Sequence, residues 1–598
     1  MPPQWSVDAV WDIETTQWDQ FLCGALWTKD LGTRVFRTPR DLANAILSLP
    51  VGAQAWAHSG GKFDVLWLID YLAEEGDLPD AVVTMSGSSA TSVKFKDGPW
   101  MRDSARLLPM SLAKAAKIAG PDRAKGDPGI AFEDMHQNMA PEILARIEEY
   151  MVGDVTLLRD ILYAVLDYAE SHNIELRGTI GGTAWSTASK WCGLEDADWD
   201  AETYRMVRDA YYGGRCEVAM TLSDYIYRYD RKSAYPASLM LPVPVGEPRL
   251  CDPRAARKAF EGGKPGSYNA VVMVPESLRP PLPIRHRDRL AYPYGRVEGS
   301  WPHVELQHAV NLGCKIERFY SAVVWDQEEA RLQPYAKSCF DLRDNLPVEQ
   351  KDALGVWLKF LANSLTGKLG QSPEWQIVTL GDFADDSRYE QVGSSPWVWS
   401  RDVWRIPQCA MVHWAMTLTG RARVELHSQI EHAGDAWVYS DTDSCFSTRQ
   451  LTRNIGEDLG DWAYEWSKKS KIAKDMRKPN GAEWEARAPK VYTYVDMSMY
   501  ERIAHAKGVP GAKDGDTIDY GVWKSYTSGE IIRSDRGVKS LKVAARGGEN
   551  SQGREGALFA RRSLTRQFHE SEEWCGARLR TGNARTRAPN VTDLARLK

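Results

Sequence analysis

Two carboxylate pairs constrain what this chain can fold into more than any other feature: Asp12 and Glu14 in WDIETT, and Asp441 and Asp443 in YSDTDS. The first pair lies in a run, residues 5–14, whose Val, Ile and Trp content reads as a strand, so residues two apart project from one face. The second stands at the turn between two short strands expected over 436–447. Carboxylates held side by side repel each other, and the arrangement is costly unless a cation lies between them. The fold must therefore provide two separate places where acids converge. With 598 residues, at about 150 per domain, roughly four units are available to build them.

Composition narrows the metal. Nine cysteines include no CxxC pair and eleven histidines no HExxH, so a carboxylate-held ion, magnesium or manganese, is expected. There is no apolar run of about 18 residues. MPPQWSVDAVWDIE has neither the basic start nor the apolar stretch of a signal peptide, which predicts a cytoplasmic protein with no membrane partner. A net charge of −6 speaks against a protein that simply coats nucleic acid. Residues 536–598, with 14 Lys/Arg and 6 Asp/Glu, read either as a phosphate contact or as a solvated basic face. Of the 24 tryptophans, Trp397 and Trp399 are candidates for stacking on bases.

Asp64 in HSGGKFD and Asp154 in YMVGDV extend the first acidic set. Residues 141–168 have helical spacing of apolar positions, which puts Tyr150 and Asp154 on one helix face. Four acids can hold two divalent ions about 4 Å apart, the arrangement that cleaves phosphodiesters. Tyr150 is placed to orient the attacking water. In the second set Asp230 ends the strand-like DYIYRYD. KFLANSLTG, inside a helix expected over 348–369, puts Lys359, Asn363 and Gly367 on one face. That face offers a lysine for a triphosphate and a glycine for close approach of a flat ligand. Asp230 and Asp443 are the pair expected to hold two magnesium ions over a triphosphate and a primer hydroxyl. Residues 241–300, broken by Pro and Gly, read as an irregular insertion, and 372–400 as a second, loop-rich one.

In this order and spacing the motifs resemble those of the family B DNA polymerases, specifically the protein-primed group of small phages and linear plasmids. WDIETT, HSGGKFD and YMVGD look like its three exonuclease motifs, AKGD like the segment with its exonuclease lysine (Lys125), and DSARLLP like its primer-binding motif (Ser104). AYYGGR looks like its linker motif (Tyr211, Gly213, Gly214). DRKSAYP, KFLANSLTG and YSDTDS look like polymerase motifs A, B and C, and PKVY like KxY (Lys490, Tyr492). The resemblance implies an α/β and α+β multidomain fold. An RNase H-like exonuclease domain (1–185) would precede a right-hand polymerase. Its palm would occupy 186–240 and 403–530, its fingers 346–371, its basic thumb and C-terminal region 531–598, and its two insertions 241–345 and 372–402.

The implied roles follow residue by residue. Asp12, Glu14, Asp64 and Asp154 would hold the exonuclease metals, with Lys125 and Tyr150 beside them. Asp230 and Asp443 would hold the polymerase metals, Asp441 adjacent. Thr15, Ser59, Phe63 and Ser104 would grip the single-stranded end, and Tyr211, Gly213, Gly214 and Tyr492 would contact DNA. Tyr235 would lie under the sugar, and Lys359, Asn363 and Lys490 would meet the nucleotide. The implied partners are primer-template DNA, deoxynucleoside triphosphates and a terminal protein as primer, with the enzyme a monomer; strand displacement is also implied. Ser59 stands where the family has Asn, Thr366 where it has Tyr, Ala234 and Ala105 where it has Leu, and Gly355 where it has a further lysine. None of these removes a proposed metal ligand. Two alternatives remain at this point: a family B polymerase using ordinary primers or de novo initiation, and a nuclease whose polymerase half has become a binding module.

Overall fold

The computed structural model describes residues 5–16, 20–86, 89–131, 134–136, 138–287, 289–392, 395–509, 516–534, 564–571, 573–582 and 584–595. The N-terminal region is organised by the strand Ala9–Thr16, which pairs antiparallel with Gln20–Thr28 and parallel with Gln54–Ala57. Its two faces go to different cores. Trp11 and Ile13 pack with the helix Asp64–Glu75, while Val10 packs with Met151 and Val155 of the helix Pro141–Ser171. Period-two alternation therefore turns Asp12 and Glu14 toward that second helix. Pro at its first position suits the helix start, because the missing N–H would have had no intrahelical partner.

The second large sheet runs in the order Thr517–Ile518, Glu501–Ala506, Val491–Asp496, Gly481–Ala488, Leu222–Arg231, Ser444–Ser447, Trp437–Asp441 and Cys216–Val218, with Trp462–Tyr464 also on Leu222–Arg231. The helix Val412–Ala433 lies behind it and the helix Leu354–Leu369 beside it. One apolar core unites Ile147, Leu158 and Ile161 of the N-terminal region with Trp357, Leu361 and Leu365 of Leu354–Leu369. Across that junction Trp357 Nε1 donates to the Leu107 carbonyl at 3.1 Å.

Both expected insertions are more ordered than their composition suggests. Within 241–300 the strands Gly266–Val274 and Gly295–Pro302 join Lys315–Val324 and Arg249–Cys251 in a four-stranded sheet. Its prolines and glycines punctuate the turns, and Tyr268, Ala270 and Val272 alternate into the core of that sheet. Residues 372–400 are not all loop: Glu374–Leu380 and Val398–Trp404 pair across an irregular connection, and Glu374–Leu380 adds to Ala81–Ser86 at the edge of the N-terminal sheet, ten strands in all. Edge pairing across regions is a non-local event that local composition does not encode. Trp397 and Trp399 are half-buried there, and Trp399 Nε1 donates to Gly381 O at 3.1 Å.

The C-terminal segment returns to the second sheet. Thr586 N donates to Ala219 O at 2.9 Å, and Arg578, 1% exposed, donates to Glu217 at 3.1 Å. That arginine is a structural tie, not a solvated cation. The basic positions at 535–563 lie outside the described residues. Among the described residues no helix is long and apolar enough to cross a membrane.

Candidate active sites

The first site forms where the strand Ala9–Thr16 meets the start of one helix and the middle of another. Asp64, 4% exposed, opens the helix Asp64–Glu75, and its Oδ1 accepts from Ile13 N at 3.4 Å. The Gly60–Gly61 pair permits this: a Cβ on Gly61 would fall 1.7 Å from Ala90 O. Asp154 arrives from Pro141–Ser171, 4% exposed, with Lys125 Nζ at 3.1 Å from its Oδ2. The same ammonium lies 5.3 Å over the Tyr150 ring. Burial, together with the charges of Asp64 and Asp154, holds the Asp12 carboxyl well above the usual carboxylate range. Burial and Asp12 push Glu14 up to about 8, and burial pushes Asp64 up to about 7. Asp154 is raised by burial and pulled back by Lys125, and its Oδ1 is buried without a hydrogen-bond partner.

The second site lies at the centre of the second sheet. Ser444 pairs in register with Asp230, and Arg231 N donates to Asp443 O at 2.7 Å, so the two aspartates sit on adjacent backbones. Burial and the Asp443 charge push Asp230 up to about 8, with Glu465 adding to the shift and Lys359 opposing it. Asp443 is raised by burial, with Asp441 adding and Lys359 and Lys490 opposing. Asp441 has its own cation, an ion pair with Lys490 Nζ. Lys359, Asn363 and Gly367 do share the open face of Leu354–Leu369, whereas Thr366, 3% exposed, faces the core. Burial raises the Tyr235 phenol to about 12, and Arg423, Tyr211, Asp443 and Asp441 are all close enough to perturb it.

Among the described residues no three His, Cys, Asp or Glu side chains already enclose a common ion-sized centre. Magnesium does not require that. It takes one or two protein carboxylates and completes its shell with water and substrate phosphate. Buried acids raised by mutual repulsion, with one oxygen unpartnered, are a donor set of this kind.

The other expected residues fall into three groups. Thr15, Ser59 and Phe63 lie beside the acids of the first site along the chain: Thr15 is 1% exposed just past a register slip after Glu14, Ser59 is left-handed at φ 62°, and Phe63 precedes Asp64. Ser104 belongs to the interior of the N-terminal region. It is fully buried, its hydroxyl 2.9 Å from His58 Nδ1 and donating to Ala57 O at 3.2 Å, because its segment is core beneath the Trp357 junction. Tyr211, Gly213 and Gly214 run between the end of Leu354–Leu369 and the Thr442 turn: a Cβ on Gly370 would meet the Tyr211 ring at 2.4 Å, and one on Gly214 would meet Thr442 at 2.6 Å. Tyr492 packs among Tyr439, Trp484 and His505, with ring centroids 4.7–5.0 Å away. Glu465 escaped sequence reasoning, since no motif surrounds it and only the pairing of Trp462–Tyr464 with Leu222–Arg231 brings it near Asp230.

Comparison with known proteins accords with this geometry. Residues 129–391 match the family described as DNA polymerase type B, organellar and viral. A probable DNA polymerase of Neurospora intermedia is 27% identical over 195 residues, 30% of this chain and 19% of that protein. The DNA-directed DNA polymerase of Enterobacteria phage PRD1 is 29% identical over 187 residues, 31% of this chain and 29% of that protein. These alignments span less than a third of either relative's length. The structure of phi29 DNA polymerase complexed with primer-template DNA and incoming nucleotide substrates superposes with a TM-score of 0.63 at 16% identity, over 86% of this chain and 90% of that one. The mixed α/β multidomain fold is that of the phi29 polymerase structure over most of the chain. Residues 129–391 are thus similar to the type B DNA polymerases, and most of the chain shares the fold of the phi29 polymerase structure.

Proposed function

We propose that this chain is a DNA-directed DNA polymerase with a 3′-to-5′ proofreading exonuclease, and that it begins synthesis on the hydroxyl of a terminal protein. The observation that carries the polymerase reading is the approach of Asp230 and Asp443 on neighbouring backbones, both raised, under the open face that bears Lys359. Magnesium or manganese, two ions per site, held by Asp230 and Asp443 in one site and by Asp12, Glu14, Asp64 and Asp154 in the other, would neutralise phosphate charge and activate the attacking oxygen. The chain's own residues do the positioning. Lys359 and Asn363 meet the incoming triphosphate, Tyr235 lies beneath its sugar, and Lys490 fixes Asp441 beside the pair. The primer hydroxyl attacks the α-phosphate in line and pyrophosphate leaves; catalysis here is mainly alignment and charge stabilisation. In the other site Tyr150 orients the water and Lys125 holds Asp154.

Protein priming and strand displacement rest on the protein-primed motif set and on the two insertions. The decisive experiment is a double dissociation in primer extension and single-strand degradation. Asp443→Ala is expected to lose extension by on the order of a thousandfold and keep degradation, and Asp12→Ala to do the reverse. Loss of both activities in both folded variants would end the two-site reading. Covalent labelling of a small protein by one nucleotide checks priming.

A further inference from the structure

The 211–215 linker is held by a buried ion pair that no motif announces. Arg423, on the helix Val412–Ala433, is 3% exposed, and Glu305, on the helix His303–Asn311 of the first insertion, is 2% exposed. The guanidinium donates from Nε to Oε1 at 2.7 Å and from Nη2 to Oε2 at 2.6 Å, a two-pronged bond. Gly420, one turn before Arg423, makes the approach possible: a Cβ there would stand 2.7 Å from Pro302 Cγ. The remaining nitrogen, Nη1, donates to the backbone carbonyls of Tyr212 and, at 2.9 Å, Gly213.

The linker passes this restraint on. Gly214 lies against the Thr442 side chain, leaving no space for even a methyl group. Thr442 N donates to Arg215 O at 2.7 Å, and Cys216 pairs in register with Asp441. Thr442 is the residue between Asp441 and Asp443, and it sits at φ 59°, a conformation a β-branched residue holds only when its surroundings impose it. On the other side Arg208 Nη1 donates to Gly370 O at 3.1 Å, where Tyr211 packs at the end of Leu354–Leu369.

We infer that Arg423 and Glu305 are a positioning pair that fixes the 211–215 linker and, through it, the Thr442 turn that aims Asp443. A buried ion pair is weak support for stability, since apolar side chains of similar size commonly replace one without loss. Two neighbouring carbonyls captured by one guanidinium, by contrast, set a backbone position. This inference rests on the polymerase reading of the second site.

The test is the double variant Arg423→Met/Glu305→Met, with Arg423→Lys beside it. The double variant is expected to keep the wild-type melting temperature and single-strand degradation. Its extension kcat should fall roughly a hundredfold, the cost of an ångström-scale misplacement, with KM for nucleotide little changed. Arg423→Lys keeps the charge but not the fork and should fall between. Amide exchange at Thr442 and Cys216 should quicken while exchange in Pro141–Ser171 does not. Wild-type extension by the double variant, or equal loss of both activities with a lowered melting temperature, overturns the inference. Unchanged exchange at Thr442 overturns the linkage whatever reaction the site performs, whereas a wild-type chain that cannot extend a primer overturns the polymerase reading instead.

Discussion

In the N-terminal region Asp12 and Glu14 lie along one face of a strand, while in the second sheet Asp441 and Asp443 flank a turn whose central residue, Thr442, sits at φ 59°. The same spacing thus serves two constructions. The first site is assembled from one sheet and the helices that cover it, and its geometry follows from strand alternation, one helix start and one helix face. The second depends on a strained turn braced by a linker from elsewhere in the chain. Both sites give one acid its own lysine, Asp154 with Lys125 and Asp441 with Lys490. A lysine can satisfy one carboxylate of a cluster without displacing the cation that the rest require.

The contrast can be broken most sharply at Gly214. If the second site alone depends on a braced turn, Gly214→Val should push Thr442 aside and cut extension roughly a hundredfold while leaving single-strand degradation within twofold. Equal loss of both would mean the linker supports the whole molecule. A smaller effect is expected from the two lysines. Lys125→Met should reduce degradation, and Lys490→Met extension, by roughly tenfold each, the worth of one charge-assisted hydrogen bond. Initial rates on single-stranded and primed templates separate the two.

A separate effect, on stability and not on rate, concerns buried imidazoles. His58, behind the first site, has both ring nitrogens bonded, at 2.9 and 3.0 Å, and burial lowers it to about 4. His413, in the helix behind the second sheet, is 8% exposed, its Nδ1 has no partner, and burial lowers it to about 3. Below pH 6.5 the unfolded chain takes up these protons before the folded one does. Stability is therefore lost as pH falls from 6.5 toward those values, by about 2 kcal/mol per histidine at pH 5. His413→Phe should flatten that slope in denaturant titrations at pH 7 and pH 5. An unchanged slope would show that His413 is not a source of acid sensitivity.

Much of this was legible in the residues. Alternation of Trp11 and Ile13 with Asp12 and Glu14 set the strand and its acidic face, and the spacing of Lys359, Asn363 and Gly367 set the open helix face. The long helix began at Pro141, as its proline predicted, and the DTD turn was legible from the strand-like residues on either side. All are local rules, in which a residue's neighbours in sequence are also its neighbours in space. Where composition misled, the partner was remote. Glu374–Leu380 became a strand because Ala81–Ser86 offered an edge. The sequence by itself determined which carboxylates exist and which elements carry them. Only the tertiary structure decided that Glu465 would stand near Asp230 and that Arg423 would hold Tyr212 and Gly213. Hydrogen bonds and charge act over a few ångströms of space, and packing alone brings such distant positions within that range.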